Sequence, residues 1–143
     1  MARQDASPLF GAEHVRSYRE TDGELGHDWR KGSSVLLLTT TGHRSGEERT
    51  TPLIYGRSGD AYLLVASNGG SAEPPAWYVN LREQPEVDVQ VLGDRFRARA
   101  RTATDEEKPE LWREMVDQWV SYDDYQRKTE RTIPVVVLER LAE

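Results

Sequence analysis

Val87, Val89 and Val91 alternate with Asp88 and Gln90, and beyond Gly93-Asp94 the alternation resumes at Phe96, Ala98 and Ala100. A period of two in both arms marks strands buried on one face, and a short glycine turn between them makes the pair an antiparallel hairpin. A two-residue turn at Gly93-Asp94 sets Asp88 across from Arg99 and Glu86 across from Arg101. This register bears on the arginine stripe of Arg95, Arg97, Arg99 and Arg101. Half of it then has acidic partners, so the stripe reads as a solvated, cross-strand-paired face in preference to an anion site.

Other segments repeat the β signal. Residues 34–41 (SVLLLTTT) form a leucine-rich and β-branched run expected as a buried strand. Residues 49–56 and 61–66 read as two strands joined at Arg57-Ser58-Gly59-Asp60, and residues 133–138 (IPVVVL) as a closing strand with Pro134 near its start or at an edge. Helices are expected over 13–20, 76–83 and 105–121. The last carries an apolar face of Leu111, Trp112, Met115, Val116 and Trp119. Thr104 and Glu107 have capping-box spacing, with Pro109 moving the regular helix toward its own position. Residues 22–32 are a glycine-rich loop, and 1–12 are expected to be a disordered N-terminus ahead of a single domain over 13–143. About six strands with few strand–helix–strand alternations argue for an α+β fold, mostly antiparallel, built as a sheet or small barrel with two or three flanking helices.

Composition removes whole classes of chemistry. The chain of 143 residues has no cysteine, which excludes disulfides, zinc–thiolate sites, iron–sulfur clusters and cysteine nucleophiles. His14, His27 and His43 lie far apart without a metal-binding spacing, so no metal site is expected. A net charge of −6 argues against a nucleic-acid partner. The longest apolar run is four residues, 35–38, and the first ten lack a secretory pattern, so no integral membrane segment and a cytoplasmic location are expected.

Residues 39–49 (TTTGHRSGEER) follow a buried strand, and their glycines, hydroxyls and guanidinium groups supply what a phosphate needs. A polar hairpin turn with solvent-facing arginines explains them equally well, and the spacing is not that of a P-loop. Ala66-Ser67-Asn68-Gly69-Gly70 ends another strand, where paired glycines permit close ligand approach or an ordinary turn. Trp77 and Tyr78 open a helix, and core packing is the usual role for such aromatics, ahead of flanking a planar ring. Tyr122 and Tyr125, three apart, share a face if helical, as buried rings or as proton donors to a product oxygen.

Taken in order, LLLTTTGHRSGEERTTPLIYGRSGD, VASNGG, PAWYVNL, PEVDVQV, ATDEEKPELW, SYDDYQ and RTIPVVVLE resemble the deazaflavin-dependent nitroreductases and quinone reductases, over residues 18–138. The resemblance implies a split β-barrel like that of FMN-binding oxidases. It also implies the cofactor F-420, an 8-hydroxy-5-deazaflavin with a phosphate and an oligoglutamate tail. By position, His43, Arg44, Ser45 and Arg49 are expected to bind the phosphate and tail. Thr40, Thr41, Pro52, Ala66, Ser67, Asn68, Gly69, Trp77 and Tyr78 are expected along the cofactor. Ser67, Tyr122 and Tyr125 are expected to face a small-molecule electron acceptor, a quinone or nitro-compound. His43-Arg44 replaces the family's usual Arg-Lys, Asn68 a frequent lysine, and Pro74-Pro75 the usual His-Pro. An FMN-dependent oxidoreductase on the same fold and a non-catalytic F-420 carrier are the alternatives.

Overall fold

The computed structural model describes Leu9 and residues 11–142. Seven strands form one sheet in the order β2-β1-β5-β6-β7-β4-β3, every pairing antiparallel. They are β1 (Val35–Thr41), β2 (Glu48–Ile54), β3 (Gly56–Ser58), β4 (Ala61–Val65), β5 (Glu86–Val91), β6 (Asp94–Thr102) and β7 (Val135–Arg140). The helices are α1 (Gly11–Thr21), α2 (Ala76–Glu83), α3 (Lys108–Gln118) and α4 (Ser121–Arg127), with 3-10 turns at Arg30–Gly32 and Asn68–Gly70.

One residue dictates the curl of the sheet. β2 and β3 are its opposite edges, yet only Tyr55 separates them in the chain. Cα atoms two apart lie within about 7.6 Å, so the sheet must bend round until its edges nearly meet. The single strand expected over 49–56 is thereby divided, because the chain crosses from edge to edge at Tyr55. The edge position also accommodates Pro52, which has no N–H to give a ladder.

Inside the curl lies a core of Leu36, Leu38, Tyr62, Leu64, Val87, Val89, Phe96, Val136 and Leu138, closed by Trp77, Tyr78 and Leu81 of α2. The alternate residues of the same strands face outward and are covered too. Val35 and Leu37 lie against Tyr18 of α1, while Leu63, Val65, Val135 and Val137 lie against Leu111, Met115 and Tyr122 of α3 and α4. Strands covered on both faces have no polar alternate positions, which explains the continuous runs in β1, β4 and β7. α3 sits so close that a Cβ on Gly56 would lie 2.6 Å from the Met115 sulfur.

The β5–β6 hairpin differs from the expected register. Val91 pairs with Asp94, so the turn is Leu92-Gly93, and Asp88 faces Arg97 while Glu86 faces Arg99. Leu92 takes a left-handed backbone (φ 55°) that a leucine resists, and two bonds hold it there. Its N–H donates to the Tyr18 hydroxyl oxygen at 2.8 Å, and its carbonyl accepts from Gln90 Nε2 at 2.9 Å. All four stripe arginines meet carboxylates: Arg95 with Asp22, Arg97 with Glu86 and Asp88, Arg99 with Glu86, Arg101 with Glu107 and Glu139.

The helix expected over 105–121 ends at Gln118, since Trp119 is extended (φ −151°, ψ 98°), and α4 follows as a separate helix. The capping box forms: Thr104 N–H donates to Glu107 Oε2 and Glu107 N–H to Thr104 Oγ1. Pro109 is tolerated because it lies in the first turn, where N–H groups have no intrahelical partner. α1 begins at Gly11, and the remaining N-terminal residues expected to be disordered lie outside the described residues, apart from Leu9. Among the described residues, no helix is long and apolar enough to cross a membrane.

Candidate active site

A cavity of about 510 Å³ opens between the end of β2, the loop after β4, and α4. This falls in the range of small-molecule sites. Thr51, Pro52, Leu53 and Ile54 supply one wall, and Ser67, Asn68, Gly69, Pro75 and Trp77 a second. Trp119, Tyr122 and Tyr125, with His14 and Trp29, line a third side. Of the expected residues, Pro52, Ser67, Asn68, Gly69, Trp77, Tyr122 and Tyr125 therefore converge from three separate stretches of sequence.

Ser67 and Tyr122 are the informative members. Both are buried (8% and 6% exposed), and neither hydroxyl has a hydrogen-bond partner among the described residues. A buried hydroxyl left unpaired costs about 1–3 kcal/mol, so two on one cavity mark a place where a ligand's polar atoms belong. Burial also pushes the Tyr122 phenol well above the ordinary tyrosine range, with the nearby Tyr125 adding to the rise. It therefore stays protonated as a hydrogen-bond donor.

The Ser67 loop is clamped from behind by Arg131. Its guanidinium donates to the carbonyls of Ala66 (3.2 Å), Ser67 (2.9 Å) and Ser71 (2.9 Å). Asn68 and Gly69 both have left-handed backbones (φ 48° and 65°), a conformation asparagine and glycine adopt most readily. The Asn68 amide donates to the Glu73 carbonyl, closing the loop. Gly70 touches α4 so closely that a Cβ there would lie 2.9 Å from the Tyr125 carbonyl oxygen. This contact joins the serine to the tyrosine helix.

The other expected residues lie elsewhere. Thr40 is buried, and its Oγ1 accepts from Asn80 Nδ2 at 3.1 Å. Asn80 Oδ1 in turn accepts from the His43 backbone N–H (3.0 Å) and from His43 Nδ1 (2.7 Å). An amide oxygen only accepts, so the His43 proton sits on Nδ1, and Nε2 has no partner among the described residues. Ala66 is fully buried, and Tyr78 is a core residue whose hydroxyl meets Thr102 Oγ1. Thr41 ends β1 at the loop carrying Arg44 and Ser45, all outside the cavity. Arg44 forms no ion pair among the described residues, and Arg49 only a long one to Glu47, 3.8 Å and exposed. Arg49, Thr51 and Leu53 alternate along β2 and so share a face, linking this basic loop to the cavity about 7 Å further on.

Sequence reading missed Asn80, Arg131, His14, Trp29, Thr51 and Trp119. Only Asn80 left a signal, as a polar residue on the buried face of α2 beside Trp77 and Leu81.

The curled antiparallel sheet thus carries a small-molecule cavity with unpartnered hydroxyls along one edge strand and a basic loop before that strand, a setting for a ligand with both polar and anionic groups. Residues 11–140 match the family described as F420H(2)-dependent quinone reductase, and the chain belongs to that family. A quinone reductase of that description from Mycobacterium tuberculosis is 42% identical over 130 residues, covering 89% of this chain and 87% of the relative. The solved structure of an F420-H2 dependent reductase, FDR-A, is 38% identical and superposes with a TM-score of 0.68. It covers 73% of this chain and 93% of its own. Another, described as a domain-swapped dimer, is 36% identical with a TM-score of 0.71 and coverages of 87% and 96%.

Proposed function

We propose that the chain reduces quinones with F-420, holding the deazaflavin ring along Pro52, Ser67–Gly69 and Trp77 and the anionic tail at His43, Arg44, Ser45 and Arg49. The observation that carries this reading is the pair of buried, unpartnered hydroxyls, Ser67 and Tyr122, on one cavity. When bound, reduced F-420 supplies the hydride.

The protein's part is position and electrostatics. A quinone that accepts hydride gains two electrons and carries negative charge on oxygen until a proton arrives to give the hydroquinone. Ser67 Oγ–H and Tyr122 O–H donate hydrogen bonds to that oxygen as its charge grows. Tyr122, whose proton is held tightly, acts as a fixed donor. The half-buried Tyr125 lies beside it, ring centroids 6.1 Å apart, and is the better placed to pass on a proton that solvent replaces. Apolar walls from Leu53, Ile54 and Trp77 keep water from the transferring hydride. The family match does not favour the FMN-dependent or carrier readings.

Fluorescence titration with F-420, followed by mixing the reduced complex with menadione, tests this. Saturable binding and acceptor-dependent reoxidation are expected. Binding without reoxidation across a panel of quinones and nitro-compounds would make the protein a carrier, and FMN binding in place of F-420 would reassign the cofactor.

A further inference from the structure

Trp119 looked, in sequence, like one more residue of the apolar face of α3. In the fold it leaves the helix in an extended conformation and lines the cavity. Its ring stacks on Trp29, centroids 5.7 Å apart and planes 30° apart. Trp29 comes from the loop after α1, where its Nε1 donates to the Leu9 carbonyl, and it also lines the cavity. The Trp119 Nε1–H donates to the Tyr125 hydroxyl oxygen at 3.4 Å. Tyr125 therefore uses its oxygen to accept, and its own proton has no taker among the described residues.

We infer that Trp119 is the specificity-determining and positioning residue of the acceptor site, its ring and Trp29 forming an aromatic wall for a planar fused-ring quinone while its N–H aims the Tyr125 proton inward. The inference rests on the reductase reading above. Two chemical consequences separate it from mere packing. Aromatic stacking rewards ring area, so a bicyclic naphthoquinone gains more from the wall than a monocyclic benzoquinone. The hydrogen bond to Tyr125 acts on the proton, so its loss belongs in kcat and not in acceptor binding.

The test uses the full chain with oxidised F-420 bound, so that acceptor affinity is read by calorimetry without turnover, and then steady-state kinetics. Trp119→Leu is expected to weaken menadione binding about tenfold and benzoquinone binding less than about twofold, with F-420 affinity unchanged. Trp119→Phe keeps a ring and removes the N–H. It is expected to hold menadione affinity within about twofold while lowering kcat severalfold. In combination with Tyr125→Phe it should lower kcat no further than Tyr125→Phe alone, because both changes delete one interaction. Equal loss for both quinones, lost F-420 affinity, or additive kcat effects would overturn the inference while leaving the reductase reading intact. A wild-type complex that binds no quinone would overturn both.

Discussion

The role of single hydroxyls follows from what surrounds them. Tyr18 and Tyr122 are both buried tyrosines, and burial raises both phenols, Tyr18 to about 12. Tyr18 is saturated: its O–H donates to the Val35 carbonyl and its oxygen accepts from Leu92 N–H, which makes it structural. Tyr122 is also buried, but its hydroxyl has no hydrogen-bond partner among the described residues. Tyr122→Phe is therefore expected to lower kcat/KM for menadione tenfold or more, on the order of a lost oxyanion donor. Tm should be no lower than wild type, since no internal hydrogen bond is lost. Unchanged turnover would remove Tyr122 from the mechanism. Sequence could nominate Tyr122 by its spacing from Tyr125 and by resemblance, but could not distinguish it from Tyr18. The difference lies in hydrogen bonds to Val35 and Leu92, which are 17 and 74 residues from Tyr18.

Among the elements, strands and helices were legible where one local pattern governs them. α2 has its expected bounds, and β1 and β4 lie within a residue of theirs. The misreadings share a cause in distant contacts: Tyr55 splits a strand by crossing the barrel, Tyr18 fixes the Leu92-Gly93 turn, and Trp119 breaks α3 to meet Trp29. Two element-level outcomes follow. Gly56→Ala should destabilise by about 1–3 kcal/mol, because α3 offers no room for a methyl beside the Met115 sulfur. Thermal unfolding should show this as a fall in Tm of several degrees, and an unchanged Tm would mean that α3 moves aside freely. At the start of α3, Glu107 is held down to about 2, first by its bond to Arg101 and then by the Thr104 N–H. A carboxyl depressed in the folded state stabilises it above the unfolded pKa, ordinarily 4.5, and that contribution disappears as pH falls toward 2. The pair is a third exposed, so the effect is about 1 kcal/mol or less. Glu107→Gln should lower Tm at pH 7 and flatten its decline between pH 4.5 and 2; parallel pH profiles would assign that decline to other carboxylates.

At the scale of the whole molecule, the exposed Arg49 and the cavity lie toward opposite ends of one strand. The net charge of −6 repels an anionic cofactor as a whole, so binding must rely on a local positive field. The β6 arginines cannot provide it, since all four face carboxylates. Arg44, in the loop before β2, and Arg49, near the start of that strand, are exposed cations, with the cavity toward the strand's far end. If they hold phosphate and glutamates, each contributes about 1.5–3 kcal/mol as a charged hydrogen bond. The double variant Arg44→Ala/Arg49→Ala should then bind F-420 at least about a hundredfold more weakly, and the remaining affinity should depend less on salt. A deazaflavin head group lacking phosphate and glutamates should bind wild type and variant equally if, as proposed, the ring lies along Pro52, Ser67 and Trp77. Equal loss for both ligands would mean that the arginines support the fold of the β1–β2 loop. Loss for neither would place the tail on other cations of the chain.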